Sequence, residues 1–261
     1  MIIKDIDNGK TFDWGNTSED YAKYRDIYPK EFYQTILDLG LCKDGQHVLD
    51  IGTGTGVLPR NMYPYGAKWI GTDIAENQIL QAKRLVSEAG MDIDFLACPA
   101  EEVDFPDGTF DVITACQCIW YLNAEAIAPK FAKMLKPGGK FLILYMGWLP
   151  YEDAIAGKSE EIILKINPNW SSYGDTVKPV YVPDELLPYF DIIHRKEYRI
   201  EVPFTRDGWH GRMRACRGVG AAMNAEQLAQ WDQEHWQMLM DNAEEQFMVK
   251  HYISIAELQL K

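Results

Sequence analysis

Basic residues are scarce in this chain. Lys and Arg number 26 against 39 Asp and Glu, for a formal net charge of −13 and a pI near 4.8. A protein this acidic lacks the positive field that non-specific binding to nucleic acid or an anionic membrane requires. No run of the sequence reaches membrane-spanning length, and the opening residues Met1-Ile2-Ile3-Lys4-Asp5-Ile6-Asp7 lack the apolar core of a signal peptide. The five cysteines are odd in number and have no disulfide-scaffold spacing: Cys42, Cys98 and Cys216 are scattered, and only Cys116-x-Cys118 is close. A reducing cytoplasmic setting is therefore expected. A structural zinc site would need two further ligands beside that pair at suitable spacing; none is seen, so no metal is expected.

Internal repeats and low-complexity tracts are also lacking. What is present is a regular alternation of strand and helix signals. A polar, aromatic-bearing segment (residues 1–28) precedes a helix from Pro29 to about Leu39. Strands at His47–Ile51, Lys68–Asp73, Ile93–Cys98 and Phe110–Ala115 alternate with helices to about Tyr63 and from Glu76 to Ala89. A further helix from Ala124 to Leu135 carries Pro129 as a candidate kink, and the turn Leu135–Gly139 leads into a strand over Lys140–Tyr145. Such alternation predicts a parallel sheet wound on both faces. After Tyr145 the texture changes. Met146–Tyr189 is rich in aromatics and proline, with two short helical patterns, and reads as an inserted cap. Two long strands, Asp191–Phe204 and Gln246–Leu258, then flank helices over Arg206–Ala222 and Ala225–Glu245, the second behind an Asn224/Gln227 capping signal. The expected whole is a single domain, residues 1–261. It comprises an N-terminal lid and helix (1–40), a cofactor-binding core (41–145), and cap insertions with the final strands (146–261). Its sheet is doubly wound and Rossmann-like, with seven strands, mostly parallel, and an antiparallel strand near the C-terminus.

The densest chemical signal is Val48-Leu49-Asp50-Ile51-Gly52-Thr53-Gly54-Thr55-Gly56. A buried strand runs into a turn with glycine at every second position and then a helix, which points backbone N–H groups at whatever lies beyond the strand end. The dinucleotide fingerprint Gly-x-Gly-x-x-Gly is missing, because position 57 is Val. The string as it stands resembles motif I of class I S-adenosylmethionine-dependent methyltransferases. Pro99–Asp111, with Phe105-Pro106-Asp107-Gly108-Thr109-Phe110-Asp111, resembles the segment leading into the fourth strand of that family. Tyr21-x-x-x-Arg25-x-x-Tyr28-Pro29 is similar to an N-terminal element of small-molecule members akin to ubiquinone-biosynthesis and trans-aconitate methyltransferases, with Asp26 where proline is usual. The resemblance is clear over residues 20–145.

The resemblance implies S-adenosylmethionine as cofactor. It also implies a binding set of Tyr21, Arg25, Asp50, Gly52, Thr53, Gly54, Gly56, Asp73, Ile74, Ala100, Glu101 and Cys116. Asp73, about twenty residues past the first glycine, is placed to accept from ribose hydroxyls; its bland alternative is to cap the next helix. An acid common in the family before Ala-Glu is Pro99 here, which shifts the adenine contact to Glu101 or to backbone near Ala100. Arg25 would pair with the methionyl carboxylate, or else form ordinary ion pairs on an exposed helix. Trp120 and Tyr121 are candidate cleft walls or core. Trp209 and Arg212, in the locally basic region His194–Arg217, are candidates for an anion-selecting acceptor site. The bland reading there is a solvated face paired with Glu234, Asp241 and Glu244. No catalytic residue is assigned. The expected activity is methyl transfer to a small-molecule acceptor, an anionic one if the basic helix after Thr205 faces the cleft, with no nucleic-acid or membrane partner. The alternatives are a nicotinamide-dependent oxidoreductase and a non-catalytic binder of the same cofactor.

Overall fold

The computed structural model describes residues 3–261; the first two residues of the expected lid lie outside them. The elements in chain order are α1 (Ser18–Tyr24), α2 (Lys30–Asp38), β1 (His47–Ile51), α3 (Val57–Met62), β2 (Lys68–Asp73), α4 (Glu76–Ala89), β3 (Asp94–Ala97), β4 (Phe110–Cys116), α5 (Ala124–Met134), β5 (Leu135–Trp148), α6 (Ala154–Ile166), β6 (Phe190–Thr205), α7 (Arg206–Arg214), α8 (Ala225–Asn242) and β7 (Gln246–Leu260). The strands form one seven-stranded sheet in the order β3-β2-β1-β4-β5-β7-β6. Register is parallel wherever β1 to β5 pair, and β7 runs antiparallel to its neighbours, with the Leu149 N–H on the Lys250 carbonyl and the Lys261 N–H on the Tyr189 carbonyl. Strand order reverses at β1, with β2 on one side and β4 on the other. In an open α/β sheet that switch point is where the crevice for a ligand forms.

Local sequence explains the boundaries. Val48, Leu49 and Ile51 are fully buried, as side chains of a strand covered on both faces must be, with Asp50 the one acid among them. Helix α4 stops at Gly90, whose φ of 65° closes the last turn as only glycine does cheaply. Asn224 and Gln227 form a complete capping box on α8. Pro129 sits inside α5 without ending it.

Two readings need correction. Residues 135–139 belong to β5 rather than to a separate turn: Leu135 pairs with Phe110 before an irregularity brings Lys140 opposite Val112. The helix expected over Arg206–Ala222 ends at Arg214. Beyond it Gly218 lies against the Trp170 ring and Gly220 against the Arg214 carbonyl, where added β-carbons would sit at 2.6 Å. That compact turn, not helix propensity, sets the path.

The chain forms two compact units. One comprises Tyr28–Met146, Lys178–Glu197 and Ile253–Lys261, and so reaches beyond the expected core of 41–145; the other comprises Met1–Ile27, Gly147–Val177 and Tyr198–Tyr252. In the first, Leu49, Ile51, Ile113, Phe131, Phe141, Phe190 and Leu258 belong to one buried cluster. In the second, α6, α7 and α8 carry the buried faces, with Trp209 and Trp231 fully enclosed.

Candidate functional site

In the unit containing β1, the chain leaves the strand through Gly52-Thr53-Gly54-Thr55-Gly56. The three glycines have φ of 62°, 56° and 72°, a region costly for any residue with a β-carbon. Packing adds a second requirement. A β-carbon on Gly52 would stand 2.8 Å from the Cys118 side chain, and one on Gly56 would stand 2.6 Å from the Phe95 ring. A β-carbon on Gly71, on the neighbouring strand, would stand 2.7 Å from the same ring. These glycines therefore let the loop fold and seat against its own protein.

Asp73 ends β2 and fastens the loop. Its Oδ2 accepts from the Gly54 N–H at 2.9 Å and its Oδ1 from the Ala75 N–H at 2.8 Å. The helix-capping and loop-binding roles are thus combined in one half-buried carboxylate, whose oxygens each keep a further lone pair. Burial raises its pKa, and the two N–H donors oppose that rise. Ile74 beside it is 55% exposed. A carboxylate and a bare aliphatic side chain side by side match the two chemistries of a nucleoside, ribose hydroxyls and a flat base.

Asp50 is different. It is 1% exposed and accepts from the Thr114 hydroxyl of β4 at 2.6 Å. Burial pushes its pKa up to about 7, against the pull of the Thr114 and Thr53 hydroxyls, with the Asp73 charge adding to the rise. The structure puts Asp50 between β1 and β4 as a support for the loop, not on an open cleft wall. Its setting among Val48, Leu49 and Ile51 is the signal that could have foretold this.

The remaining predicted contacts in this unit lie at strand ends. Ala100 is buried, and Glu101 Oε1 accepts from the Asn123 N–H at 2.8 Å, so this carboxylate also braces the start of α5. Cys116 is half-buried, its Sγ 3.4 Å from the Tyr28 hydroxyl, whereas Cys118 is buried with its Sγ 3.1 Å from the Ile51 carbonyl. Gln117 between them has φ of 65° without being glycine, held by its N–H to the Leu144 carbonyl at 2.9 Å and its Nε2 to the Met146 carbonyl at 2.5 Å. A side chain kept in that region against its preference marks a constrained segment. Trp120 meets Tyr121 and Tyr145 edge-on, at 5.6 and 5.3 Å between ring centres, and all three are half-buried. All five cysteines are free thiols. Among the described residues no three potential ligands gather as a metal site, and no helix is long and apolar enough to cross a membrane.

The other unit holds Tyr21, Arg25, Trp209 and Arg212. Arg25 lies over the Tyr21 ring at 4.6 Å and donates to its hydroxyl at 3.2 Å, one helical turn apart. Trp209 is fully buried and Arg212 is 2% exposed. Arg212 stands 5.0 Å from the Trp148 ring centre and donates to Cys216 Sγ at 3.0 Å. Its neighbours on the basic segment are committed to acids other than those expected. Arg214 pairs with Asp20 and Asp232, Arg206 with Glu245, and Arg217, itself buried, with buried Asp7. Glu234 pairs instead with Lys165. His251 is a residue that sequence reasoning missed. It is fully buried and held neutral, its pKa lowered to about 3 by burial and, secondarily, by the Arg212 and Arg25 charges.

The glycine loop at the switch point, its tie to a strand-end acid and the adjacent exposed aliphatic residue are the arrangement expected of a class I S-adenosylmethionine-dependent methyltransferase core. Comparison with known proteins agrees. Residues 48–139 match the model of the methyltransferase domain family. The chain is 30% identical over 172 residues to the ubiquinone biosynthesis O-methyltransferase of Bradyrhizobium diazoefficiens, covering 63% of this chain and 64% of that protein. It is 26% identical over 169 residues to the protein of the same name from Dechloromonas aromatica, covering 64% and 72%. The chain thus spans just under two thirds of the first relative's length. In fold it is similar to the YcgJ protein of Bacillus subtilis, with TM-score 0.52 and 19% identity over 89% of this chain and 99% of that one. It is also similar to the [4+2]-cyclase SpnF, with TM-score 0.51 and 16% identity over 88% and 79%. A cyclase among the neighbours illustrates that this fold does not by itself fix the reaction.

Proposed function

We propose that the protein transfers the methyl group of S-adenosylmethionine to a small-molecule acceptor. The observation that carries the reading is the Asp73–Ile74 pair at the end of β2, joined through the Gly54 N–H to the glycine loop. It offers acceptors for the ribose and an apolar rest for adenine. When bound, the cofactor supplies a methyl group already electrophilic on its sulfonium. The protein's own work is then to align the acceptor and exclude water, which contributes roughly 7–11 kcal/mol in well-oriented reactions.

In this reading the loop from Gly52 to Gly56, with Thr53, lies along the cofactor. Asp73 accepts from the ribose, Ile74, Ala100 and Glu101 border the base, and Cys116 stands at the end of β4. The family resemblance alone carries the assignment of Tyr21 and Arg25 to the methionyl carboxylate. Trp120 and Tyr121 are proposed as walls for the acceptor. Trp209 and Arg212 are proposed to favour an anionic one, since a buried guanidinium beside indole rings suits a carboxylate on an apolar body. Burial also raises the energetic value of that charge, because little water screens it.

Calorimetry with S-adenosylmethionine, its demethylated product and the nicotinamide cofactors tests the reading. The first two should bind and the last should not. Gly54→Val, with a branched side chain forced to a φ near 56°, should abolish cofactor binding in a protein that still folds. Unchanged affinity in that variant, or preference for a nicotinamide cofactor, would overturn the assignment.

A further inference from the structure

Strand β6 lies at one end of the sheet and is hydrogen-bonded only to β7 among the described residues. It is 16 residues long, where strands commonly run about 5–6 residues. No residue from Asp191 to Glu201 is buried, and Ile192 and Ile193 are 36% and 47% exposed. An edge this long and open offers a row of backbone donors and acceptors to another strand. Natural edges are usually shortened, bulged or covered, so its persistence here calls for an occupant.

The charges on the edge identify that occupant. Arg195, Glu197, Arg199 and Glu201 occur at every second position, on one face of the strand, with alternating sign. Two copies of β6 pairing antiparallel about a two-fold axis normal to the sheet keep each residue on its own face. A residue can therefore oppose only one of the same parity. With Tyr198 opposite its own copy, Arg195 meets Glu201 and Glu197 meets Arg199, each twice by symmetry. Centring the pairing on Glu197 instead would set Arg195 against Arg199 and Glu197 against itself. Centring it on Arg199 would set Glu197 against Glu201 and Arg199 against itself. Opposite charges directly across a ladder stabilise it and like charges destabilise it, so one register is selected over its neighbours.

The present contacts of these side chains leave capacity for a partner. Arg195 donates through Nη1 to the Val180 carbonyl at 2.9 Å. Arg199 holds Glu152 through Nε and Nη2 while its side chain remains 62% exposed. The Ser254 hydroxyl reaches Glu197 at 3.4 Å. A guanidinium has five N–H donors and a carboxylate about four acceptor sites, so each group can serve a second partner. Pro203, which has no N–H to give, ends the pairing beyond Val202.

We propose that β6 is a self-complementary edge through which two copies of this chain pair antiparallel, centred on Tyr198, to make one continuous sheet. The test is the oligomeric state of the full chain, followed by sedimentation and light scattering at low salt. The wild-type protein should be a dimer that weakens as salt screens the edge. Glu201→Arg puts Arg opposite Arg195 twice per dimer, and Arg195→Glu puts Glu opposite Glu201 twice. Each variant alone should dimerise at least about tenfold more weakly. Mixed in equal amounts, the two should form a heterodimer, because their edges are complementary again. Folding damage cannot be repaired by mixing, so this arm separates pairing from stability. Glu197→Arg mixed with Arg199→Glu repeats the test at the inner pairs should either outer variant fail to fold. A wild-type protein that stays monomeric at high micromolar concentration would overturn the proposal. So would a dimer indifferent to all four reversals, or one that captures a different protein while remaining monomeric alone.

Discussion

Replacing Asp50 by Asn removes an ionisable group while keeping the shape and an acceptor oxygen for the Thr114 hydroxyl. The folded protein raises this carboxyl from 3.8 to about 7. About three pH units at 1.36 kcal/mol each amount to roughly 4 kcal/mol. The direction follows from proton counts. Between pH 4 and 7 the unfolded chain has lost the Asp50 proton while the folded protein still holds it, so the native state binds more protons and stability falls as pH rises. Above about 7 both states are ionised and the penalty stays constant. Urea unfolding of wild type and Asp50→Asn from pH 4.5 to 8.5 should therefore show the variant gaining on wild type as pH climbs, by up to about 1.4 kcal/mol per unit, then levelling off. The other titrating groups are common to both proteins and cancel in the difference. Cofactor affinity should change little, because the Asp50 side chain is enclosed between β1 and β4. A difference that is flat with pH, or that shrinks as pH rises, would show that Asp50 is ionised and well accommodated, and would refute the argument from burial.

Three further substitutions test other parts of the structure. Gly56→Ala forces a β-carbon into a φ of 72° and to 2.6 Å from Phe95; it should cost about 2–4 kcal/mol in chemical denaturation, part of which Phe95→Leu should restore by making room. Asp73→Ala removes the acceptor shared by the Gly54 and Ala75 N–H groups, so it should cost about 2 kcal/mol of stability and weaken S-adenosylmethionine binding by calorimetry, with Asp73→Asn intermediate on both. Arg217→Met leaves Asp7 as a buried charge without its cation and should destabilise by about 3–5 kcal/mol, whereas Asp7→Leu combined with Arg217→Met should regain most of that loss in thermal unfolding.

The core of the fold was legible because its physics is local. β1, β2 and α4 fall at their expected bounds, where an apolar run, a strand-end acid and an αL glycine each state their role within a few residues. The later region was less legible for a matching reason. The end of α7 depends on Trp170 filling the space beside Gly218, a contact 48 positions away that no periodicity encodes. The partners of the basic segment were equally hidden. Arg217 finds Asp7 from the far end of the chain, and Arg214 reaches Asp20 and Asp232, whereas one-turn reasoning on a helix surface offered only neighbours on the next helix.

The candidate site shows where a motif can be right in place and different in cause. Glycines alternating after β1 suggest a backbone that a ligand approaches closely. Here the positive φ values and the Cys118 and Phe95 contacts already require glycine at 52 and 56, so the composition of the loop would hold even in an empty crevice. What points to a ligand is instead the asymmetry at its edge. Asp73 spends one lone pair of each oxygen on the loop and the next turn, and beside it Ile74 is left exposed where burial against protein would be favourable. A loop built only for packing would have no reason to leave an aliphatic side chain and a carboxylate open together. The cofactor reading therefore stands on Asp73 and Ile74, and the glycines serve it by holding the loop where those two residues can be used.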